Sequence, residues 1–264
     1  MSAETVAGRD DYVDFCEGIR RLCQIDLLQY KRNQMERRIR TFAERRGIPG
    51  LLEYLLLLRQ ERTELDRFLD RITINVSQLW RNPEQWTMLA GTVLPELATA
   101  GRIRAWSAGC SYGAEAYTLA AVCRDAVPAA RLAVRGTDID ERVVARARQA
   151  RFSEDDTRDA PPAALARWFD RVAEGWQAKA ALRQVTTFEV GDLLRIAPAP
   201  ESHDLILCRN TVIYFQEPVR DELHARLARA LRPGGYLLVG STERVNQPAA
   251  MGLSAVRPFT YRKA

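Results

Sequence analysis

The first third of the chain carries the hydrophobic spacing that is typical of amphipathic helices. Apolar residues recur every three or four positions, with polar residues between them. Gly47 and Pro49 interrupt the pattern, and the sequence of this region has no strand-like alternation. We therefore predict a helical N-terminal domain, residues 1–80, with a core drawn from Tyr12, Phe15, Ile19, Leu22, Met35, Ile39, Phe42, Leu51, Tyr54, Leu55, Leu58, Leu65, Phe68, Leu69 and Ile72.

The pattern changes after a predicted linker at residues 81–100. Short apolar runs now alternate with helical spacing, which favours an α/β domain over residues 101–264. Residues from about 160 to 185 are charged and irregular, which indicates a small insert with a helix and a hairpin. We predict a mostly parallel, doubly wound sheet with strands at 103–108, 132–137, 186–190, 205–208, 236–240 and 259–262.

The loop after the first predicted strand has the glycines of a ligand-binding turn. Gly109 and Gly113 would let the backbone approach a ligand at the junction between strand and helix. Glu115, near the helix start, would repel a pyrophosphate. The loop therefore fits a nucleoside ligand without phosphate, and S-adenosylmethionine is one whose amino and sulfonium groups are cationic.

Acidic residues follow the second and third predicted strands. Asp138 could accept hydrogen bonds from both ribose hydroxyls, or it could cap the next helix. Asp140 is the better candidate for the cap, which leaves Asp138 for the ribose. Asp192 could bind an adenine amino group while Leu193 packs on the ring, and the alternative for Asp192 is a solvent-facing turn.

Two further segments carry polar side chains that point to a site. The fourth predicted strand ends in Arg209 and Asn210, with Tyr214 soon after, and ligands of open α/β sheets bind beyond the carboxyl ends of the strands. Residues 73–82 are either a linker packed by hydrophobic side chains or a segment that folds over the cofactor and places Arg81 at the reaction centre.

Composition narrows the chemistry that this chain could carry. It has 264 residues, 47% of them hydrophobic, five scattered cysteines and two histidines. We expect neither a disulfide framework nor a metal site, and a Ser-His-Asp triad is poorly supported. No apolar run approaches the roughly 18 residues of a membrane span, and the N-terminus lacks an apolar signal core. We expect a cytoplasmic monomer without membrane insertion.

Positive charge is concentrated in one predicted helix. Residues 27–46 contain seven basic residues against two glutamates, so this segment matches the net charge of +5 of the whole chain. Such a cluster indicates a local docking surface, and the alternative is a solvated helix face. Lys31, Arg38 and Arg45 share one face at seven-residue spacing.

Five segments together resemble the CheR family of chemoreceptor glutamate methyltransferases. They occur in the family's order and cover nearly the whole chain: TINVSQLWRN, WSAGCSYGAEAYTLA, GTDIDERVVARAR, DLILCRNTVIYF and LRPGGYLLVGSTE. The resemblance implies a Rossmann-like class I methyltransferase sheet domain, an all-α N-terminal receptor-docking domain and a small inserted subdomain. It also implies methylation of glutamates on chemoreceptor cytoplasmic helices in chemotaxis adaptation, with S-adenosylmethionine converted to S-adenosylhomocysteine.

The resemblance assigns roles to individual residues. Arg81 and Tyr214 would be catalytic, and Lys31, Arg38 and Arg45 would dock on acidic receptor helices. The implied cofactor-binding residues are Asn75, Ser77, Arg81, Gly109, Glu115, Asp138, Asp192, Leu193, Arg209 and Asn210.

The sequence departs from the family pattern at several of these positions. Ala114 and Ala116 replace a Glu and a Pro, Tyr112 replaces a Thr, and Asp192 stands where Asn is commoner. We expect Tyr112 to crowd or reshape the rim of the pocket. The loop 171–176 has a single glycine, which favours a family member that is independent of a receptor C-terminal pentapeptide. The alternatives are a catalytically weak scaffold that binds S-adenosylmethionine, and a nucleic-acid methyltransferase suggested by the pI of about 9.1.

Overall fold

The computed structural model describes residues 10–73 and 77–264, which divide into two compact units. The first unit holds the N-terminal helical region up to residue 73, together with Tyr214–Gln216. The second holds the described residues from 77 to 213 and from 217 to 264. The division thus falls between residues 73 and 77, whereas the sequence placed it at residue 80.

The first unit is built from four helices around an aromatic core. Phe15, Tyr54 and Phe68 are fully buried, and the Phe68 ring lies 5.9 Å from that of Phe15 and 6.0 Å from that of Tyr54 between centroids. Each helix buries the apolar stripe that its spacing predicts, although Leu22, Phe42 and Leu69 are only half-buried. The helices are α1 (Asp11–Cys23), α2 (Arg32–Arg45), α3 (Leu51–Gln60) and α4 (Arg62–Ile72).

The second unit begins with helices where the sequence predicted a linker. Pro83 lies in the first turn of α5 (Pro83–Met88), and a π-helical turn (Leu89–Val93) leads into α6 (Leu94–Ala98). The linker prediction overlooked the helical spacing of five buried side chains: Trp86, Leu89, Val93, Leu94 and Leu97. Their burial stabilises this stretch as part of the α/β unit.

A seven-stranded sheet forms the centre of the second unit. The strands in chain order are β1 (Arg102–Ala108), β2 (Arg131–Asp138), β3 (Arg151–Phe152), β4 (Phe169–Val172), β5 (Gly175–Ala178), β6 (Thr186–Val190), β7 (His203–Cys208), β8 (Leu231–Val239), β9 (Leu253–Arg257) and β10 (Thr260–Lys263). The sheet order is β6-β2-β1-β7-β8-β10-β9, in which the first five are parallel and β10 runs antiparallel to both neighbours. The α/β class and the mostly parallel sheet are confirmed.

Five more α-helices complete the described part of the second unit, and a small sheet forms the insert. They are α7 (Ala114–Ala126), α8 (Glu141–Gln149), α9 (Pro162–Trp168) and α10 (Ala180–Arg183), followed after β7 by α11 (Glu217–Ala230). The insert sheet has the order β3-β5-β4, with a tight β4–β5 hairpin. The sequence did not predict β9, because four of its five residues are exposed and it has no buried alternation. None of the helices that the structure describes is long and apolar enough to cross a membrane.

Candidate functional site

The predicted site residues of the second unit converge at one edge of its sheet. The neighbouring strands β6, β2, β1 and β7 are parallel, so their carboxyl ends lie at the same edge. Asp138 is the last residue of β2, and Asp192, Gly109 and Arg209 follow the ends of β6, β1 and β7. The topology therefore assembles them although up to a hundred residues separate them along the chain.

A buried ion pair stands at the centre of this edge. The guanidinium of Arg209 donates from Nη1 to Oε2 of Glu115 over 3.1 Å, and the two side chains are 2% and 10% exposed. The other carboxylate oxygen of Glu115 accepts a 2.7 Å hydrogen bond from the hydroxyl of Ser107. Buried charges need such full pairing, because each loses its hydration on folding.

Arg209 also holds the segment that precedes α5. Its Nε donates to Oε1 of Gln85 over 2.7 Å, and its Nη2 donates to the carbonyl of Arg81 over 2.7 Å and to Oδ1 of Asn82 over 3.1 Å. We call Arg209 and these partners, with Glu115, the Arg209 network. All three guanidinium nitrogens have protein acceptors, so the network fixes the backbone at Arg81. No sequence pattern indicates Gln85, because it lies within the predicted linker at residues 81–100.

The 77–82 arm (residues 77–82) carries Ser77 and Arg81 in a constrained backbone. Trp80 and Asn82, which flank Arg81, have φ values of 54° and 59°, a left-handed conformation that Asn tolerates and that is costly for Trp80. The N–H of Trp80 donates to the hydroxyl of Thr118 over 3.0 Å, and the indole of Trp86 donates to the Arg81 carbonyl over 3.0 Å.

The observed packing fits the interpretation of the arm as a packed linker, and the role of Arg81 at the reaction centre stays a prediction. Leu79 and Trp80 are buried, as expected for a packed linker, and the arm also holds Arg81 next to the Arg209 network. Ser77 is half-buried. Asn75, the remaining predicted residue of this segment, lies outside the described residues.

The loop after β1 needs a glycine at its first residue, because it packs closely against Thr211. Gly109 has φ +82°, and a Cβ there would lie 2.4 Å from Oγ1 of Thr211. Ser111, with φ 49°, donates its backbone N–H to Oδ2 of Asp138 over 2.8 Å. The loop is thus closed onto the end of β2 by the carboxylate that was predicted to bind ribose.

Asp138 and Asp140 have different roles. The second carboxylate oxygen of Asp138 accepts the backbone N–H of Asp140 over 3.1 Å, and burial raises the pKa of this carboxyl. Asp140 caps α8 by accepting the N–H of Arg142 over 3.0 Å. The assignment of the helix cap to Asp140 is therefore confirmed, and Asp138 lies at the strand end.

Asp192 shapes its own turn at the end of β6. Its Oδ1 accepts the N–H of Leu194 over 2.9 Å, and its Oδ2 lies 3.4 Å from Nε of Arg195. Leu193 is buried. This local bonding fits the alternative of a turn acid, and a role toward adenine stays a prediction.

Glu243 ties together the loops after β7 and β8. Its carboxylate accepts the N–H groups of Asn210, Val212 and Gly240 at 2.8, 3.1 and 2.7 Å. Burial raises its pKa, since the carboxyl has lost its water. Asn210 adopts φ 58°, so its backbone conformation depends on this clamp. The sequence did not indicate Glu243, although an acid directly after the Gly-Ser-Thr that follows β8 could have done so.

The remaining predicted residues lie in the first unit. The carbonyl of Tyr214 accepts the N–H of Lys31 over 2.9 Å, just before α2 begins. Arg38 is half-buried and donates to the carbonyl of Arg71 over 3.3 Å, whereas Arg45 is exposed, with its guanidinium 6.0 Å from the ring of Phe42.

The positive charge of α2 is partly neutralised within the first unit. Arg32 pairs with Asp10 at 2.6 Å, and Arg40 pairs with Asp11 at 2.8 Å. Arg46 pairs with Glu64 of α4. The expectation that the whole excess charge belongs to this helix is therefore too simple, because acids from α1 and α4 lie against it. Among the described residues, Lys31, Arg38 and Arg45 have no carboxylate partner.

The carboxyl edge suits a nucleoside ligand that carries hydrogen-bond donors. The carboxylate of Glu115 is paired with Arg209, and that of Asp138 accepts two backbone N–H groups, and both keep oxygen lone pairs for further donors at the ends of β1 and β2. An ammonium group could donate to Glu115, and ribose hydroxyls could donate to Asp138. The residues present therefore fit S-adenosylmethionine.

Comparison with known proteins agrees with this geometry. Residues 10–73 match the family described as CheR methyltransferase, all-alpha domain, and residues 75–257 match CheR methyltransferase, SAM binding domain. A chemotaxis protein methyltransferase of Listeria monocytogenes is 32% identical over 255 residues, which cover 96% of this chain and 97% of the relative. Chemotaxis protein methyltransferase 1 of Pseudomonas aeruginosa is 29% identical, with 91% and 92% covered. A probable biofilm formation methyltransferase of Pseudomonas putida is 33% identical over 79% of this chain and 51% of that protein. The chain belongs to the CheR methyltransferase family, and its cofactor is S-adenosylmethionine.

Proposed function

We propose that this methyltransferase esterifies glutamate side chains on the cytoplasmic helices of chemoreceptors. The names of the Listeria and Pseudomonas relatives support a role in chemotaxis, and the cytoplasm is then the compartment in which the enzyme works. The observation that carries the proposal is the Arg209 network, which fixes the backbone of Arg81 at the carboxyl edge of a sheet that binds S-adenosylmethionine.

The acceptor carboxylate needs orientation and desolvation rather than deprotonation. A glutamate has a reference pKa of about 4.3 and is ionised at neutral pH, so no general base is required. When bound, S-adenosylmethionine supplies an electrophilic methyl group on its sulfonium. The protein must align one carboxylate oxygen with that methyl group and exclude water.

The two histidines do not contradict a reaction without a general base. His203 is the first residue of β7, at the opposite end of the strand from Arg209, and His224 is fully buried in α11. Burial lowers the pKa of each to about 4, so both are neutral at pH 7.

Arg81 is our candidate for binding the acceptor carboxylate. A guanidinium binds a carboxylate with two parallel hydrogen bonds, which sets its orientation. The backbone of Arg81 is held by hydrogen bonds from Arg209 and Trp86 to its carbonyl. The buried side chains of Leu79 and Trp80 make this segment apolar on its inner side, which favours exclusion of water.

Other residues keep the roles that the family resemblance gave them. Tyr214 is proposed to hydrogen-bond the acceptor carboxylate. Lys31, Arg38 and Arg45 are proposed to dock on acidic receptor helices, because no described carboxylate neutralises them. The tight turn between β4 and β5 is consistent with the prediction that no receptor pentapeptide is needed.

The chemical stability of the predicted glutamyl methyl ester provides a direct test of the proposed reaction. The enzyme would be incubated with S-adenosylmethionine labelled in its methyl group and with chemoreceptor cytoplasmic fragments, and the product would be treated with mild alkali. A glutamyl methyl ester releases volatile labelled methanol, whereas methyl groups on nitrogen stay on the protein. Label that resists alkali would overturn the proposal. If no methyl group is transferred although the cofactor binds, the result would favour a scaffold that binds S-adenosylmethionine. If the methyl group is transferred to RNA or DNA, the result would favour a nucleic-acid methyltransferase.

A further inference from the structure

The loop after β1 contacts the start of the 77–82 arm through the side chain of Tyr112. This side chain is 4% exposed, and its ring lies 6.4 Å from that of Phe152 between centroids. Its hydroxyl contacts the carbonyl of Ser77 and lies 2.8 Å from Oδ1 of Asp156. Tyr112 is therefore packed inside the second unit and joins two segments there.

Asp156 orients the phenol and also holds the arm through its backbone. Its Oδ2 accepts hydrogen bonds from Arg146 and from the N–H of Ser153, each 2.8 Å long, which leaves Oδ1 for Tyr112. Its carbonyl accepts the N–H of Leu79 over 2.7 Å. The guanidinium of Arg146 lies 3.9 Å from the centroid of the Tyr112 ring, which favours a cation–π contact.

We propose that Tyr112 and Asp156 form a positioning anchor for the 77–82 arm, so that Arg81 is aimed at the acceptor carboxylate. The proposal rests on the role of Arg81 given above. It assigns a role to a residue that departs from the family pattern and that no catalytic step uses directly.

The conformation of the arm explains why such an anchor is needed. Left-handed backbone at Trp80 and Asn82 persists only where surrounding contacts determine it. The Arg209 network fixes the arm at its Arg81 end, whereas Tyr112 and Asp156 fix its Ser77 end. Loss of the second anchor would allow the residues before Arg81 to relax.

The phenol can serve only as a donor at this place. Both neighbours, the Ser77 carbonyl and the Asp156 carboxylate, are acceptors, and the hydroxyl has one proton to give to either. Burial and the charge of Asp156 raise the pKa of Tyr112, so the proton stays on the phenol at neutral pH. Removal of the oxygen would therefore take away the link between loop and arm while the ring stays packed.

The chain offers a matched control in Tyr117. This tyrosine is also buried, its ring lies 5.7 Å from that of Phe152, and its hydroxyl donates to the carbonyl of Ala147 over 3.3 Å. Tyr112→Phe and Tyr117→Phe thus remove the same buried group, and only the first of these hydroxyls touches the arm.

The experiment compares the two variants by amide hydrogen exchange, by calorimetric binding of S-adenosylhomocysteine and by steady-state kinetics. For Tyr112→Phe we expect the exchange rates of the Leu79 and Trp80 amides to rise about fivefold, which corresponds to the net free energy of one hydrogen bond. We also expect kcat to fall about fivefold, while KM for the receptor fragment stays within twofold of the original value. Tyr117→Phe should leave the exchange of these amides and kcat unchanged. Asp156→Ala should reproduce the Tyr112→Phe effect, and the double variant should be less than additive.

Two results would overturn the anchor. One is unchanged exchange at Leu79 and Trp80 in Tyr112→Phe, and the other is an equal change in Tyr117→Phe. The exchange and binding readouts need no methyl acceptor, so they judge the anchor even if the proposed glutamate substrate is wrong. Faster exchange with an unchanged kcat would contradict its role in aiming Arg81.

Discussion

Arginine–carboxylate ion pairs occur both at the carboxyl edge of the sheet, where the pair is buried, and at the basic helix α2, where the pair is exposed to solvent. Arg209 and Glu115 are 2% and 10% exposed, whereas Arg32 and Asp10 are 49% and 39% exposed. A buried pair depends on every partner in its network, because an unpaired charge there has no water. An exposed pair exchanges one hydrated arrangement for another and is weakened by salt. We therefore expect the buried pair to stabilise the fold and the exposed pairs of α2 to weaken as the ionic strength rises.

The largest effect is expected from breaking the buried pair. Arg209→Ala leaves Glu115 and Gln85 without their partner and should lower the free energy of unfolding by about 3–5 kcal/mol. The measurement is urea unfolding. Arg32→Ala, which breaks the exposed pairs of Arg32 with Asp10 and Glu36, serves as the control and should lower the free energy of unfolding far less.

A double substitution sharpens this first prediction. Arg209→Met with Glu115→Gln removes both charges and keeps similar volumes, so it should recover at least about half of the lost stability. Equal losses in Arg209→Ala and Arg32→Ala would contradict the contrast between buried and exposed pairs.

The next effect concerns buried histidines and pH. Burial lowers the pKa of His224 and of His203 to about 4, whereas an unfolded histidine titrates near 6.5. Between about pH 6.5 and 4 the unfolded chain therefore binds more protons than the folded one, and stability falls as the pH falls. By pH 4, each histidine should have lowered the free energy of unfolding by up to about 3 kcal/mol.

His224 can be tested separately, because its two ring nitrogens lack a hydrogen-bond partner among the described residues. His224→Leu should flatten the pH dependence of the unfolding free energy between pH 6.5 and 4.5. A slope that matches the original protein would show that His224 titrates normally in the folded state.

Arg81→Ala should have the third largest effect, and on catalysis rather than stability. The loss of the carboxylate-binding guanidinium should lower kcat about 100-fold, which corresponds to about 2.7 kcal/mol of transition-state stabilisation. Binding of S-adenosylhomocysteine, measured by calorimetry, should change by no more than a few-fold. Full turnover in this variant would remove Arg81 from the mechanism.

The smallest effect is expected from the three basic residues Lys31, Arg38 and Arg45, of which Arg38 is half-buried. Simultaneous replacement of Lys31, Arg38 and Arg45 by Glu should raise KM for the receptor fragment several-fold at low salt and less at high salt. The matched control replaces three exposed arginines of the second unit, Arg102, Arg131 and Arg257, by Glu. An equal rise in KM in both variants would show that net charge matters and that the α2 surface does not.

The sequence predicted the framework because local patterns encode it. Alternating strands and helices gave the order of elements, and the rule that parallel strands end at one edge brought Asp138, Asp192 and Arg209 together. Family motifs then supplied the cofactor. These signals are short in range or periodic, so they can be recognised in the sequence without knowledge of side-chain contacts.

The bonding within the site could not be predicted because it joins distant residues. Arg209 meets Glu115 across 94 positions of the chain and Gln85 across 124, and no periodicity specifies such partners. Tyr112 illustrates the same limit, since the sequence shows a departure from the family and predicts only that this residue crowds or reshapes the rim of the pocket. Its side chain instead turns inward to Ser77 and Asp156.

The most direct test of the proposed activity is mass spectrometry of chemoreceptor cytoplasmic fragments after incubation with the enzyme and S-adenosylmethionine. We expect the mass increase of one methyl ester on defined glutamates of the receptor helices, and we expect Arg81→Ala to lose this increase while it still binds the cofactor. Unmodified glutamates in the presence of an enzyme that binds the cofactor, or methylation confined to other side chains, would contradict the proposed activity.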